Sequence, residues 1–270
     1  MKPVFILLCL LAIVGWSVSG RAQVETLRSD VLARSTQMIL VTTSDWNTVE
    51  GRLQRYGRAT THEKWHPVGE PISIVVGKNG LGWGIGVIAT DDSNVRAASD
   101  PVKREGDGKS PAGVFALGTA FGYGSQPLPG SKMPYLNLTP SIECVDDTGS
   151  NYYNRIVDRS VVAADWKSSE HMRNVGGYRW GIVVDHNGIV TEDPANLPQP
   201  GGGSCVFLHI WRSNDQGTAG CTALSQNDLE SLLTWLDPAR KPLLVQIPER
   251  TYQRLINRWM LPELIKVPPR

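Results

Sequence analysis

The sequence predicts a mostly β fold with a few peripheral helices, and three observations lead to this prediction. Short apolar and β-branched runs recur along the chain, and turn residues close each of them. Glycine is abundant, with 27 residues in a chain of 270, as many tight turns require. Apolar residues at helical spacing are found mainly near the C-terminus. With 41% hydrophobic and 20% charged residues, the composition is that of an ordinary globular protein.

The strand-like runs follow one another through most of the chain. Predicted strands cover residues 37–42, 53–58, 73–76, 81–89, 114–117, 135–138, 178–184 and 206–211. Lys78, Asn79 and Gly80 separate the third run from the fourth, and this tripeptide predicts a hairpin turn between them.

The helical signals begin after residue 224. Ser225 and Asp228 have the spacing of a capping box, and four leucines follow at helical spacing until Asp237 and Pro238 end the run. Residues 242–248 predict one more strand. Residues 251–265 predict a terminal helix that is broken near Pro262.

The first 22 residues have the pattern of a secretory signal peptide. Lys2 supplies the positive start, residues 4–14 are apolar, and Gly20 and Ala22 are small residues placed for cleavage. The apolar run is short for a membrane span, although an uncleaved anchor that keeps the protein near the membrane remains an alternative. We therefore divide the chain into a signal peptide at 1–22, an N-terminal extension at 23–36, one domain at 37–248 and a C-terminal helical extension at 249–270.

Charge and motif spacing exclude several classes of function. The formal net charge is +1 and is spread over segments of mixed sign, so no basic stripe predicts nucleic-acid binding. Gly108, Lys109 and Ser110 resemble the end of a P-loop, but Lys103 stands where that loop needs a glycine. None of the five histidines is spaced for a helical zinc motif, so we expect neither a metal nor another cofactor.

Cleavage of the signal peptide would leave three cysteines in an exported protein. An odd count in an oxidising compartment indicates either an intermolecular bridge or a free thiol. The simplest arrangement is a disulfide between Cys144 and Cys205 with Cys221 free. Three free thiols are the alternative.

His209 and Cys221 form the most informative pair in the chain. His209 lies in an apolar run, and a polar loop then leads to Gly220 and Cys221. A thiol becomes a nucleophile as the thiolate, and imidazole is the usual base. Gly220 gives the backbone freedom to direct N–H groups toward an oxyanion. Two buried structural residues are the alternative explanation of a His and a Cys twelve positions apart.

Two sequence blocks resemble the YkuD-type catalytic domain of the L,D-transpeptidase family. One is the series His209, Thr218, Gly220 and Cys221, and the other is the segment from Gly106 to Phe115, which reads GDGKSPAGVF. The resemblance spans residues 37–248. It implies an antiparallel β-sandwich or flattened barrel, with a few peripheral helices and a loop-covered active-site cleft.

The resemblance also implies a function. Cys221 would be the nucleophile and His209 its base, the amides of Gly220, Cys221 and Thr222 would hold the oxyanion, and peptidoglycan stem peptides would be donor and acceptor in the periplasm or cell envelope. The family often has Gly after the histidine and Arg or Asn two residues after the cysteine, whereas this chain has Ile210 and Ala223. We also expect Trp211, Arg212 and Thr218 to contact substrate. Arg212 could replace the missing guanidinium near a peptide carboxylate, and a solvated loop arginine is the alternative that we favour.

The resemblance and the departures from it leave three functions open. The first is an L,D-transpeptidase that forms cross-links through a thioester on Cys221. The second is an L,D-carboxypeptidase or amidase that hydrolyses stem peptides on the same fold. The third is a wall-binding protein without catalysis.

Overall fold

A computed structural model describes residues 31–90, 93–190 and 197–265, and it confirms a mostly β chain. The predicted signal peptide and most of the predicted N-terminal extension lie outside these residues. The strands are β1 (Gln37–Thr43), β2 (Glu50–Gly57), β3 (His66–Val75), β4 (Leu81–Trp83), β5 (Ser110–Gly122), β6 (Tyr135–Asn137), β7 (Ile142–Val145), β8 (Ile156–Asp158), β9 (Ser169–His171), β10 (Trp180–Val184), β11 (Phe207–Ile210), β12 (Thr222–Leu224) and β13 (Leu243–Pro248). Helices cover Gln226–Trp235 and Glu249–Leu255, residues 31–34 are also helical, and 3₁₀ turns cover Met172–Asn174, Gly176–Arg179 and Pro238–Arg240.

Eight of the strands close into a ring. Their order is β10, β11, β12, β3, β2, β1, β13 and β5, and β5 pairs with β10 to complete the circuit. The expectation of an antiparallel sheet is wrong at two places in the ring, because β1 pairs with β13 and β11 pairs with β12 in parallel. The second parallel pair arises because the loop after β11 crosses back to the start of that strand before β12 begins. Outside the ring, β4 and β6 also pair with β5 in parallel.

The main hydrophobic core fills this ring and extends beneath the long helix. All seven residues of β1 are buried, as expected for a strand covered on both faces. The Gln226–Trp235 helix begins at Ser225, whose hydroxyl accepts a hydrogen bond from the N–H of Asp228 at 3.2 Å. Its buried leucines pack onto the core, so the predicted apolar stripe and the N-cap at Ser225 are confirmed. The capping box is not complete, because the Asp228 carboxylate accepts the hydroxyl of Ser225 at 2.6 Å rather than its backbone N–H.

Two predicted connections differ from the structure. The turn at Gly80 forms, with the N–H of Gly80 donating to the carbonyl of Gly77 at 2.7 Å, but the flanking strands do not pair with each other. Instead β4 lies parallel to β5, and β3 pairs with β2 and β12. The terminal helix ends at Leu255 rather than continuing toward residue 265, because the chain turns to bury Trp259 and Leu261 in the main core.

A three-stranded sheet, β8–β7–β9, covers part of the outside of the ring together with the two 3₁₀ turns after β9. We call residues 138–179 the cap. A second hydrophobic cluster forms where the cap meets the ring, and it contains Met172 and Tyr178 from the cap together with Phe207 and Cys221. The disulfide between Cys144 in β7 and Cys205 before β11 joins the cap to the ring, which confirms the predicted pair and leaves Cys221 free.

Within the described residues, no helix has both the length and the apolar character needed to cross a membrane.

Candidate active site

A cavity of about 470 Å³ lies between the cap and the β11–β12 end of the ring. Six of the seven predicted site residues line it: Cys221, His209, Gly220, Trp211, Arg212 and Thr218. Thr222 does not line it, because its hydroxyl donates to Gln246 Oε1 at 2.7 Å in the buried interior.

Strand alternation explains why the two central residues reach the same cavity. Successive side chains of a strand point to opposite faces. In β11, Leu208 belongs to the main core while Phe207 and His209 lie on the cap side. At the start of β12, Thr222 points inward, so Cys221 before it points outward. The parallel pairing of β11 with β12 then brings Cys221 alongside Phe207, on the same face of β11 as His209.

The polar loop before Cys221 is fixed by its own hydrogen bonds. Two hydroxyl groups donate to the carbonyl oxygen of Cys221, that of Ser110 at 2.7 Å and that of Thr218 at 2.5 Å. Thr218 also accepts the N–H of Gly220 at 3.1 Å. The Thr218 hydroxyl therefore holds this loop in place. The N–H of Gly220 is already bonded to Thr218, so in this structure it does not point toward an oxyanion in the cavity.

The sulfur of Cys221 is buried among polar neighbours. It accepts the N–H of Phe207 at 3.3 Å and lies 3.5 Å from the carbonyl oxygen of Cys205. Burial raises the pKa of the thiol to about 12, and the charge of Glu170 acts in the same direction, against hydrogen bonds from Phe207 and Tyr178. Cys221 is therefore a neutral thiol at pH 7, and its proton must leave as the sulfur attacks.

The imidazole of His209 is held in one tautomer. Its Nδ1 lies 2.9 Å from the carbonyl oxygen of Ile210, which can only accept, so Nδ1 carries the hydrogen and Nε2 keeps its lone pair. Burial lowers the pKa of His209 to about 4, and the nearby charge of Arg212 acts in the same direction. His209 is thus a neutral imidazole at pH 7 with one basic nitrogen. Within the described part of the chain, no hydrogen bond joins it to Cys221.

Gly177 in the cap is required for this arrangement. A Cβ atom at Gly177 would lie 2.4 Å from the carbonyl oxygen of Ile210 and 2.9 Å from Nδ1 of His209. Any larger residue would collide with the two atoms that fix the tautomer. The cap therefore approaches the imidazole as closely as a backbone can.

Sequence reasoning missed three residues of this cavity: Lys103, Glu170 and Tyr178. The Tyr178 hydroxyl donates to Glu170 Oε1 at 2.6 Å, and Tyr178 belongs to the same buried cluster as Cys221. Lys103 is only 6% exposed, and its ammonium donates to Asp107 Oδ1 at 2.7 Å. Lys103, Glu170 and Tyr178, the last in the 3₁₀ turn before β10, are far from Cys221 in sequence, so no spacing local to Cys221 could have identified them.

Both signs of charge line the cavity. Lys103 and Arg212 contribute positive charges, and Glu105, Asp146 and Glu170 contribute negative ones. Such a lining suits a substrate that carries both carboxylates and an ammonium group. No group of three His, Cys, Asp or Glu side chains among the described residues is arranged to hold a metal ion.

Comparison with known proteins finds no match to any protein-family model, curated protein or solved structure.

Proposed function

We propose that the protein is an exported cysteine-dependent acyltransferase of the L,D-transpeptidase type, which acts on peptidoglycan stem peptides in the cell envelope. One observation carries the proposal. The free thiol of Cys221 lines a cavity together with a neutral imidazole, whereas the other two described cysteines are oxidised to a disulfide. A free thiol kept in a disulfide-containing chain is best explained by a chemical role.

The proposed cycle has two halves. In the first, the sulfur of Cys221 attacks a stem-peptide carbonyl, the thiol proton is lost, and the C-terminal amino acid leaves as an amine that takes up a proton. A thioester remains on Cys221. In the second half, the amine of another stem peptide attacks the thioester, loses a proton and releases the thiol. In the first half, Nε2 of His209, the nitrogen that its bond to Ile210 leaves basic, takes the thiol proton and passes it to the leaving amine. In the second half, it takes the proton of the attacking amine and returns it to the sulfur.

The charged groups of the cavity support a peptide substrate of this class. Arg212 and Lys103 are suited to the carboxylates of a stem peptide, and Asp146 and Glu170 are suited to its ammonium group. Arg212 thereby takes the part of the guanidinium that the family often carries two residues after the cysteine, where this chain has Ala223. The closed ring of mixed strands with an attached cap is, in this proposal, a variant of the L,D-transpeptidase fold.

Product analysis tests the function. The purified protein is incubated with defined stem peptides, and the products are identified by mass spectrometry. We expect cross-linked dimers from the wild type and none from Cys221→Ala. Trimmed monomers alone would identify a hydrolase instead, and unchanged peptides would contradict an acyl-transfer activity on these substrates.

A carbapenem tests the nucleophile without an acceptor. Its strained β-lactam carbonyl should acylate Cys221, and the adduct should persist because the drug-derived acyl group blocks the acceptor side of the cavity. Intact-mass spectrometry should show one drug equivalent on the wild type and none on Cys221→Ala. A wild type that stays unmodified, although its Cys221 still reacts with iodoacetamide, would contradict the role of Cys221 as an acyl-transfer nucleophile.

A further inference from the structure

Lys103 is a buried cation in the wall of the active-site cavity. Its side chain is only 4% exposed, and the residue lines the cavity together with Gly220 and Cys221. A lysine ammonium has three N–H donors. Two of them have acceptors, the carbonyl oxygen of Arg104 at 2.6 Å and Asp107 Oδ1 at 2.7 Å. Among the described residues, no acceptor takes the third donor.

Two glycines lie against the side chain of Lys103 and show where its ammonium is. A Cβ atom at Gly203 would be 3.0 Å from Cε and 3.3 Å from Cγ of Lys103, so the aliphatic part of the side chain runs along Gly203. A Cβ atom at Gly220 would be 3.8 Å from Nζ and 3.9 Å from Cε, so the end of the side chain lies beside Gly220. The ammonium is therefore next to the residue that directly precedes the nucleophile Cys221.

The oxyanion of the proposed cycle needs a donor that the backbone of Gly220 does not supply. Attack of the sulfur on a carbonyl carbon moves the π electrons of the C=O bond onto the oxygen, which becomes negatively charged. The N–H of Gly220 donates to the hydroxyl of Thr218 at 3.1 Å instead. An oxyanion site that was expected to use this amide therefore lacks one of its donors in this structure.

We propose that the third N–H of Lys103 donates to this oxyanion, which makes Lys103 a catalytic residue of the acyl-transfer reaction. The inference rests on the proposed function for the type of reaction. The S–C bond forms as the π electrons move to the oxygen, and Lys103 stabilises the new charge by a hydrogen bond without giving up a proton. The C=O bond then re-forms and the bond to the leaving group breaks. The thiol proton passes through His209, as in the proposed cycle.

Burial favours this role of Lys103 over the binding of a substrate carboxylate, to which its charge alone would also suit it. A hydrogen bond from an ammonium is stronger where water is excluded. Arg212, the other cation of the cavity wall, is exposed and can meet a carboxylate before the reaction starts. Burial raises the pKa of Cys221, and the charge of Lys103 acts in the opposite direction. A cation that favours negative charge on the sulfur also favours it on an oxygen two bonds away.

Two reactions of Cys221 with neutral reagents separate an oxyanion donor from other roles. Thiolysis of p-nitrophenyl acetate passes through an oxyanion and leaves an acetyl group on the sulfur, whereas alkylation by iodoacetamide displaces iodide without an oxyanion. Neither reagent carries a carboxylate. Both rates are measured by intact-mass spectrometry in the full chain with its disulfide intact, and the rates of Cys221→Ala are subtracted. Both reactions need the thiolate, so the ratio of acetylation to alkylation isolates the effect on the oxyanion.

Lys103→Met removes the donor and keeps the length of the side chain. We expect the ratio of acetylation to alkylation to fall about 10²–10³-fold, the usual effect of losing one oxyanion donor. A ratio equal to that of the wild type, even with both rates lowered, would overturn the inference. A structural role of Lys103, or a role in forming the thiolate, would change both reactions alike.

Lys109 provides a matched control in the same loop. Its ammonium donates to the carbonyl oxygen of Asn79 at 2.6 Å, the same distance as the bond from Lys103 to Arg104, but Lys109 does not line the cavity. Lys109→Met should keep the wild-type ratio. A similar fall in this variant would mean that lysine replacement acts by loosening the loop, and it would overturn the assignment.

Gly220→Ala tests the same contact while Lys103 and its bonds stay in place, and it decides the matter if Lys103→Met fails to fold. The φ of Gly220 is not in the left-handed region, and an added Cβ would meet the carbonyl oxygen of Lys109 at 3.2 Å, so a small shift accommodates an alanine. The methyl group would lie 3.8 Å from the ammonium and crowd an anion bound beside it. We expect a lower ratio of acetylation to alkylation here too. An unchanged ratio would overturn the placement of the oxyanion between Lys103 and Cys221.

Failure of this inference and failure of the proposed function give different results. A wild-type ratio in Lys103→Met, together with cross-linking of stem peptides by the wild type, would remove the oxyanion role and leave the acyltransferase proposal standing. A lowered ratio without cross-linking of any stem peptide would remove the function on peptidoglycan and keep Lys103 as an oxyanion donor. A wild type whose Cys221 is alkylated but never acetylated would contradict both.

Discussion

Reduction of the Cys144–Cys205 disulfide should destabilise the protein and loosen the cap over the active-site cavity. The two cysteines are 61 residues apart, and the loop that they close contains β7, β8, β9, β10 and Tyr178. In the chain-entropy description, a loop of this length restricts the unfolded chain by about 4 kcal/mol. That is a large part of the 5–15 kcal/mol by which domains are typically stable.

The disulfide also bears on the site directly. The carbonyl oxygen of Cys205 lies 3.5 Å from the sulfur of Cys221. Cys205 itself has a positive φ of 54°, and its N–H donates to the buried Asn154 at 2.9 Å. A non-glycine residue in this region costs on the order of 1–3 kcal/mol and persists only where its surroundings hold it. Without the bridge, we expect this segment to relax and the neighbours of Cys221 to shift.

Guanidinium unfolding of the same wild-type protein, oxidised and reduced, measures the effect without changing any residue. We expect the free energy of unfolding to fall by about 3–4 kcal/mol, near the upper value of the entropy estimate. Cys221→Ala is the control and should lose the same amount on reduction, because Cys221 is free in both states. Alkylation should also detect one free thiol before reduction and three thiols in the denatured, reduced mature chain. A loss below about 1 kcal/mol would refute the reasoning, since chain entropy alone predicts several times more.

Three further predictions concern single side chains. Cys221→Ser should retain the fold but abolish cross-linking of stem peptides, because a hydroxyl is far less acidic than a thiol. Cross-linking at the wild-type rate would contradict the assignment of Cys221 as nucleophile. The His209 ring should titrate near pH 4 by NMR, whereas titration near 6.5 would contradict its burial. His209→Ala should slow carbapenem acylation about 10²–10⁴-fold. Burial lowers the pKa of His186 to about 4. Between about pH 6.5 and pH 4, this side chain is therefore protonated in the unfolded chain but neutral in the folded chain. This one group should then lower the stability by about 1.4 kcal/mol per pH unit down to pH 4, and the buried His209 adds a similar slope. His186→Gln should remove about 1.4 kcal/mol per pH unit from the slope in denaturant titrations at several pH values, whereas an unchanged slope would contradict the assignment.

Long or strongly patterned elements could be predicted from the sequence. The strands at β1, β2, β5, β10, β11 and β13 carry enough apolar or β-branched residues to be recognised, and Ser225 with its leucines predicts the long helix. Strands β7, β8, β9 and β12 were missed. Each has three or four residues, which is too short for alternation to show, and β8 and β9 include charged side chains.

The sequence by itself determined the two residues on which the functional proposal rests. A short strand with His209 and a Gly–Cys step at Gly220 and Cys221 are local patterns, and local patterns can be read without coordinates. The disulfide was one of two possibilities, since cysteine counts restrict pairings but do not choose among them. Its formation depends on β7 and the segment before β11 being adjacent, which is a property of the fold.

Only the tertiary structure decided what surrounds the sulfur. Parallel pairing of β11 with β12 turns Cys221 outward and Thr222 inward, and sequence spacing does not specify that register. The cap brings Tyr178 and Glu170 to the thiol from more than forty positions away. The physical reason is the same in each case. Burial, hydrogen bonding and pKa depend on which atoms are in contact. In a closed ring of strands, most contacts join residues that are distant in the chain.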